Sequence, residues 1–410
     1  MKNTQFLELE ARALLTRLQQ VQPFATNMPV VDAATISQPA QRKISRLLLN
    51  GRKKLKKKIN GFIRVVKSSP DTPVEDLQTA FSILKLRFNQ LLDQLDIFAD
   101  AFTQRSEHEI GLWLAGLDEL ARDALTLQSE LYKVPPLICY LDRGHGAAIR
   151  RTRARLPGGT SNPVAVIRVP RERLVGSGIA ASLVHEVGHQ GAGMLNLIQT
   201  MRTSLRAYGF DKRRPWKLFD RWLSEIISDC WGVATLGISA TTGLMGVVSL
   251  PGYFVFHINP EDPHPFPWIR VMISAQVGKI LYPSPQWDKL MDLWLELYPM
   301  DNIQPDKREM IDELIRELPA FAHFLVNHRS SEMNGMSFQT LFPIRERQPE
   351  KLRILYQKWK RNRKLSFRAQ PSLAFAVLGQ ARADGKLSPE TENAWLSRLL
   401  RWWAVRRTMI

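Results

Sequence analysis

Leu183-Val184-His185-Glu186-Val187-Gly188-His189 is the stretch on which the architecture turns, and Glu225-Ile226-Ile227-Ser228-Asp229 begins 36 residues past its second histidine. Residues four apart on a helix lie side by side, so His185 and His189 can aim two imidazoles at one ion. Glu186 stands about a hundred degrees round the helix, too far to be a third ligand there but within reach of a water held by the ion. A catalytic zinc keeps three protein ligands and one open position, and Glu225 is the best candidate for the third. It opens a second helical pattern in which Glu225 and Asp229 again stand four apart and point the same way. Asp229 is then expected to accept the free ring N–H of a zinc histidine, His185 in the first place, fixing its tautomer and basicity.

The plain alternative is a chance motif on a solvated helix. Against it stand the apolar lead Ile179-Ala180-Ala181-Ser182-Leu183-Val184 and the two glycines, Gly188 and Gly191, which let another backbone come close. The metzincin variant is excluded, because Ala192 and Leu195 occupy the positions where it needs glycine and histidine.

HExxH followed by ExxxD resembles the gluzincin peptidases. Pro263-His264-Pro265-Phe266-Pro267-Trp268-Ile269-Arg270 narrows this, since it is similar to the HPxxxxR signature of the CaaX prenyl endopeptidase and its bacterial membrane-peptidase relatives. Leu156-Pro157-Gly158-Gly159, followed by the strand-like Val164 to Val169, looks like the LPGG and edge strand that precede the zinc helix in those families, with a longer gap. The resemblance spans roughly residues 135 to 280. It implies a zincin-like core, a Zn2+ cofactor, hydrolysis of a protein or peptide, His264 as a donor to the oxyanion, and Arg270 as the residue that orients substrate or holds its loop. Ser228 stands where the relatives usually carry alanine, and their flanking membrane spans are not evident.

The rest of the chain sets the frame. With 410 residues, 44% of them hydrophobic, it can bury more than one core. Three regions are expected: a helical one with a basic helix at 1–132, the metallopeptidase domain at 133–282 and a second helical one at 283–410. The fold class is α+β, predominantly helical, with a small antiparallel sheet in the zincin-like core. Two cysteines, Cys139 and Cys230, make no disulfide framework and read as buried thiols. With no export signal in the acidic N-terminal stretch, a cytoplasmic enzyme is expected.

Phe6 to Val21 is amphipathic. Arg42 to Lys67 is a second helix, with Ile44, Leu47, Leu48, Leu55, Ile59 and Phe62 toward the core and Arg52 to Lys58 outward, either a patch for nucleic acid, anionic lipid or an acidic partner or simply a solvated face. Aromatic residues are sparse there, so nucleic acid is not expected. Thr72-Pro73-Val74-Glu75 reads as a capping box opening a helix to about Thr103, and Ser106-Glu107-His108-Glu109 as another cap. Arg143, Arg150, Arg151, Arg153 and Arg155 form either a half-exposed strand or a cationic rim. Val164, Val166 and Arg168 lie on the expected edge strand, whose open backbone would hold an extended peptide. Arg202 to Arg214 reads as a loop or lid. Trp231 to Leu250 is long and uncharged, but its glycines and hydroxyl residues favour a buried helical hairpin over membrane insertion. Tyr208 and Tyr253 are reserve donors. The competing class is a non-catalytic zincin-fold scaffold whose basic helices contact nucleic acid, an anionic membrane or a protein.

Overall fold

Helices take up 72% of the structure, and one small three-stranded sheet of mixed direction holds the strands. The computed structural model describes residues 3–22, 30–68, 71–142, 147–170, 176–259, 261–301 and 303–409. In chain order the elements are α1 (Asn3–Gln19), α2 (Gln38–Ser68), α3 (Val74–Thr103), α4 (His108–Leu125), β1 (Leu137–Asp142), β2 (Ala148–Arg150) and β3 (Ala165–Pro170). Then come α5 (Gly178–Met194), α6 (Leu197–Ala207), α7 (Arg214–Leu236), α8 (Ile238–Val248), the short α9 (Gly252–Val255) and α10 (Pro267–Leu281). The chain ends in α11 (Gln286–Leu297), α12 (Pro305–Asn327), α13 (Pro349–Arg361), α14 (Pro371–Ala383) and α15 (Pro389–Arg406).

Packing divides the chain into two compact units: Met1–Leu114 with Pro135–Tyr140 and Arg150–Val166, and Ala115–Val134 with Leu141–Ile149 and Ile167–Ile410. In the first, α1, α2 and α3 pack pairwise through stripes that the sequence periodicity shows. Leu7, Leu14 and Leu18 meet Ile44, Leu48, Leu55, Ile59 and Phe62, with Leu77, Phe81, Leu84 and Phe88 completing the core. Proline itself stands at the N-cap of α3, and no side chain caps it, so the Thr72 capping box does not form. α4 begins at His108, so Glu107 and not Ser106 is the residue before it, and the Ser106 hydroxyl donates back to the Thr103 carbonyl. Arg143 and the side chain of His108 lie outside the described residues.

The sheet corrects two expectations. Its order is β1-β3-β2, so β3 is the middle strand and not an edge, and the sheet is mixed and not antiparallel. Val164 to Val169 is a near-continuous apolar run, and a strand buried on both faces belongs inside a sheet. Val164 and Val166 are buried, and Arg168 reaches Asp142 at 3.4 Å. The arginine-rich segment is a strand only over Ala148–Arg150, and Arg150, Arg151, Arg153 and Arg155 are exposed.

In the second unit α5 and α7 make the densest helix pair. A Cβ on Gly188 would stand 2.8 Å from the Ser228 Cα, and one on Gly191 would overlap the Trp231 indole. Ser228 tucks its hydroxyl back onto the Ser224 carbonyl and is fully buried, so it fills the small-residue position without holding the helices apart. Arg202 to Ala207, expected as loop, belongs to α6, which buries Leu197, Met201 and Leu205 at four-residue spacing. Trp231 to Leu250 is split at Gly237, whose φ of 62° and ψ of −140° suit glycine alone. Among the described residues no helix is long and apolar enough to cross a membrane. Residues after Pro283 pack in the same unit: the Arg347 guanidinium donates to the Thr235 carbonyl at 3.1 Å, and the Ser388 hydroxyl caps α15 as the sequence suggests. Cys139 and Cys230 are buried thiols, not joined in a disulfide.

The indole of Trp231 is fixed by its Nε1–H bond to the Ala124 carbonyl at 2.9 Å, so it cannot yield to a methyl group. Gly191→Ala should therefore cost about 1–3 kcal/mol by overpacking. Urea unfolding checks this, and an unchanged midpoint would mean that α7 does not lean on α5 as described.

Candidate metal centre

Two helices supply the cluster. On α5, His185 and His189 share a face beside Gly188; on α7, Glu225 and Asp229 share the face that meets them. One ligand atom from each of His185, His189 and Glu225 lies within 4.8 Å of the others, so the group could hold a metal ion. The Glu225 carboxylate spans the two rings, with Oε2 3.2 Å from His185 Nε2 and Oε1 3.3 Å from His189 Nε2. Two imidazoles and a carboxylate make the donor set of a catalytic zinc site, so the residues fit that ion.

The partners behind the ligands fix their orientation. Asp229 Oδ1 lies 2.8 Å from His185 Nδ1, which commits that ring to presenting Nε2. Ser224 Oγ lies 3.4 Å from His189 Nδ1. Arg270, on α10, does not face outward as a substrate-orienting group would. Its Nε donates to Asp229 Oδ2 at 2.7 Å and its second terminal nitrogen to Oδ1 at 3.0 Å, a two-pronged grip on a buried carboxylate. It thus holds a carboxylate, and through it His185, where the sequence suggested substrate or a loop. His264 remains half exposed with Nε2 3.8 Å from Glu225 Oε2. Asp262 accepts from both its backbone N–H, at 2.9 Å, and its ring Nδ1, at 2.8 Å.

Sequence reasoning missed Ser224 and Asp262. The second had a signal, since an aspartate two residues before its partner in a proline-rich turn can fold back on the following backbone. Tyr208 and Tyr253 are exposed and pack on rings of their own segments, Phe210 and Phe254.

Electrostatics follow from burial and pairing. Burial depresses His185, but the Asp229 charge and its hydrogen bond, with a further bond from Glu225, outweigh this and lift the imidazolium to about 9. Asp229 is pushed up by burial and pulled down harder by Arg270 and His185, to about 2. Burial would raise Glu225 too, yet the hydrogen bonds from His185 and His189 hold it far below the ordinary carboxylate range. Glu186 goes the other way: burial lifts it, against the attraction of His185 and His189. A divalent cation held by the same three groups would take the place of the His185 proton.

No known protein family matches the chain, and neither a curated protein nor a solved structure is detectably similar to it.

Binding of a metal requires neutral His185, and its folded value near 9 means that a proton must leave at pH 7. Apparent zinc affinity should accordingly climb by about tenfold per pH unit from this proton and level off above about 9. His185→Ala and Glu225→Ala should each lose stoichiometric metal. Titration against a competing chelator across pH, with metal analysis of the variants, checks both; full zinc retention in the variants would refute the ligand set.

Proposed function

We propose that this chain is a zinc-dependent metallopeptidase of the gluzincin type, with a zincin-like core, hydrolysing peptide bonds of a protein or peptide substrate. The observation that carries the reading is the convergence of His185, His189 and Glu225 within 4.8 Å, with Glu186 one residue along the same helix. A structural site closes with four ligands and has no use for a buried, unliganded carboxylate beside it. Among the described residues, no fourth His, Cys, Asp or Glu joins this group.

His185, His189 and Glu225 would hold the zinc, which would supply a Lewis acid able to acidify water and polarise a carbonyl. The chain's own groups do the rest. Glu186, its affinity for a proton raised by burial, takes the proton of the attacking water and passes it to the leaving amine. His264, in its doubly protonated form, donates from Nε2 to the oxygen on which negative charge develops, while Asp262 accepts from Nδ1–H and fixes the ring's orientation. Arg270 and Asp229 touch no substrate in this scheme; they keep His185 in register. The strand that carries Val166 and Arg168 plays no part in it, since its place inside the sheet leaves no open edge there for strand addition.

Two variants separate the roles. Glu186→Gln should keep zinc and fold yet lose nearly all turnover, because an amide cannot accept the water's proton. His264→Ala should lower kcat by roughly a hundredfold or more, the effect of losing one oxyanion donor, with little change in KM or metal content. Steady-state kinetics beside a thermal melt on zinc-loaded protein tests both. Wild-type kcat in folded Glu186→Gln would end the mechanism, and wild-type kcat in folded His264→Ala would remove that residue from it.

A further inference from the structure

Helix α2 carries eleven lysines and arginines and no aspartate or glutamate over its 31 residues. Its buried stripe, Ile44, Leu48, Leu55, Ile59 and Phe62, takes one side, and the cations occupy the remaining arc, about two thirds of the circumference at 3.6 residues per turn. Arg46, Lys53, Lys57 and Arg64 follow the ridge opposite that stripe, flanked by Lys43 and Lys54, and all six are exposed. Among the described residues only Lys67 of the set pairs with a carboxylate, Glu8 at 3.4 Å. A merely solvated helix gains from mixed signs, and like charges four residues apart, as at Lys53 with Lys57 and Lys54 with Lys58, destabilise it. This face keeps the repulsion along its whole length, which calls for an anionic surface to relieve it.

We propose that the outer face of α2 binds the phosphate backbone of double-stranded nucleic acid without reading its sequence. The helix is about 46 Å long at 1.5 Å per residue, and a duplex presents one phosphate charge per about 1.7 Å of axis, enough to match every cation. A bilayer leaflet disperses its anionic headgroups among neutral ones and meets a rod along one line. The apolar stripe that an interfacial helix sinks into lipid is here already spent in the protein core. Cations on three sides instead suit a major groove, which admits an α-helix between two phosphate walls. The only aromatic residue of α2, Phe62, is buried, so the face offers no ring on which an unpaired base can stack, and a single strand fits poorly. Sparse aromatics thus argue for phosphate recognition on paired strands and not against nucleic acid altogether.

The test is fluorescence anisotropy of the full-length chain against a labelled duplex two turns long. We expect a dissociation constant of about 1–100 µM at physiological salt, equal for unrelated sequences, and a log–log salt slope of about −5 for some six neutralised phosphates. The triple variant Arg46→Glu, Lys53→Glu, Lys57→Glu should flatten that slope by about three and weaken binding at least tenfold at about 50 mM salt. Its melting temperature and zinc content should not fall, since these side chains face solvent. Four results would overturn the proposal: no binding at about 50 mM salt, undiminished binding by the triple variant, equal affinity for the single strand, or tighter binding to phosphatidylserine vesicles than to duplex.

Discussion

The close approach of α5 to α7 is the constraint on which the candidate metal centre depends. Gly188 and Gly191 remove the side chains that would hold the helices apart, and Ser228 answers them from α7 with a hydroxyl turned back on its own helix. With the backbones this near, two rings from α5 and a carboxylate from α7 meet without long side chains having to bend toward each other. Trp231 then closes the contact, anchored by its indole N–H. A methyl group in that seam would act on both stability and ligand geometry, because the same residues set both.

A second layer rests on the first. Asp229 is a buried carboxylate, and such a charge is tolerated only when it is paired and hydrogen-bonded. Arg270 grips both its oxygens while His185 takes one, so α10 is tied to α7 and α5 through one anion. The arrangement explains opposite shifts within a few ångströms. Asp229 and Glu225 are surrounded by cations and stay ionised, whereas burial dominates at Glu186 and raises its proton affinity. One cluster thus divides into carboxylates that stay ionised and one whose affinity for a proton is raised.

Most of the centre was legible because its information is local. Four-residue spacing on a helix puts His185 beside His189 and Glu225 beside Asp229 whatever the fold, and glycines at Gly188 and Gly191 foretold a close neighbour. The amphipathic stripes of α1, α2 and α3 were legible for the same reason. What escaped depends on partners distant in the chain. Arg270 meets Asp229 across 41 residues, and no pattern in either segment names the other. The middle place of β3 was missed although its run of buried residues, with no polar alternation, carried the signal. Arg202 to Ala207 read as loop because the stretch Arg202 to Arg214 is polar and basic, yet Leu197, Met201 and Leu205 at four-residue spacing were enough to dock it.

Digestion of a peptide library by the zinc-loaded chain in heavy-oxygen water, read by mass spectrometry, tests the central claim most directly. A water activated by Glu186 attacks the carbonyl itself, so each new C-terminus should carry one heavy oxygen, and chelation should abolish cleavage until zinc is restored. Absence of any cleavage by chain that holds one zinc at His185, His189 and Glu225 would contradict the account and leave the cluster as a metal site without hydrolysis.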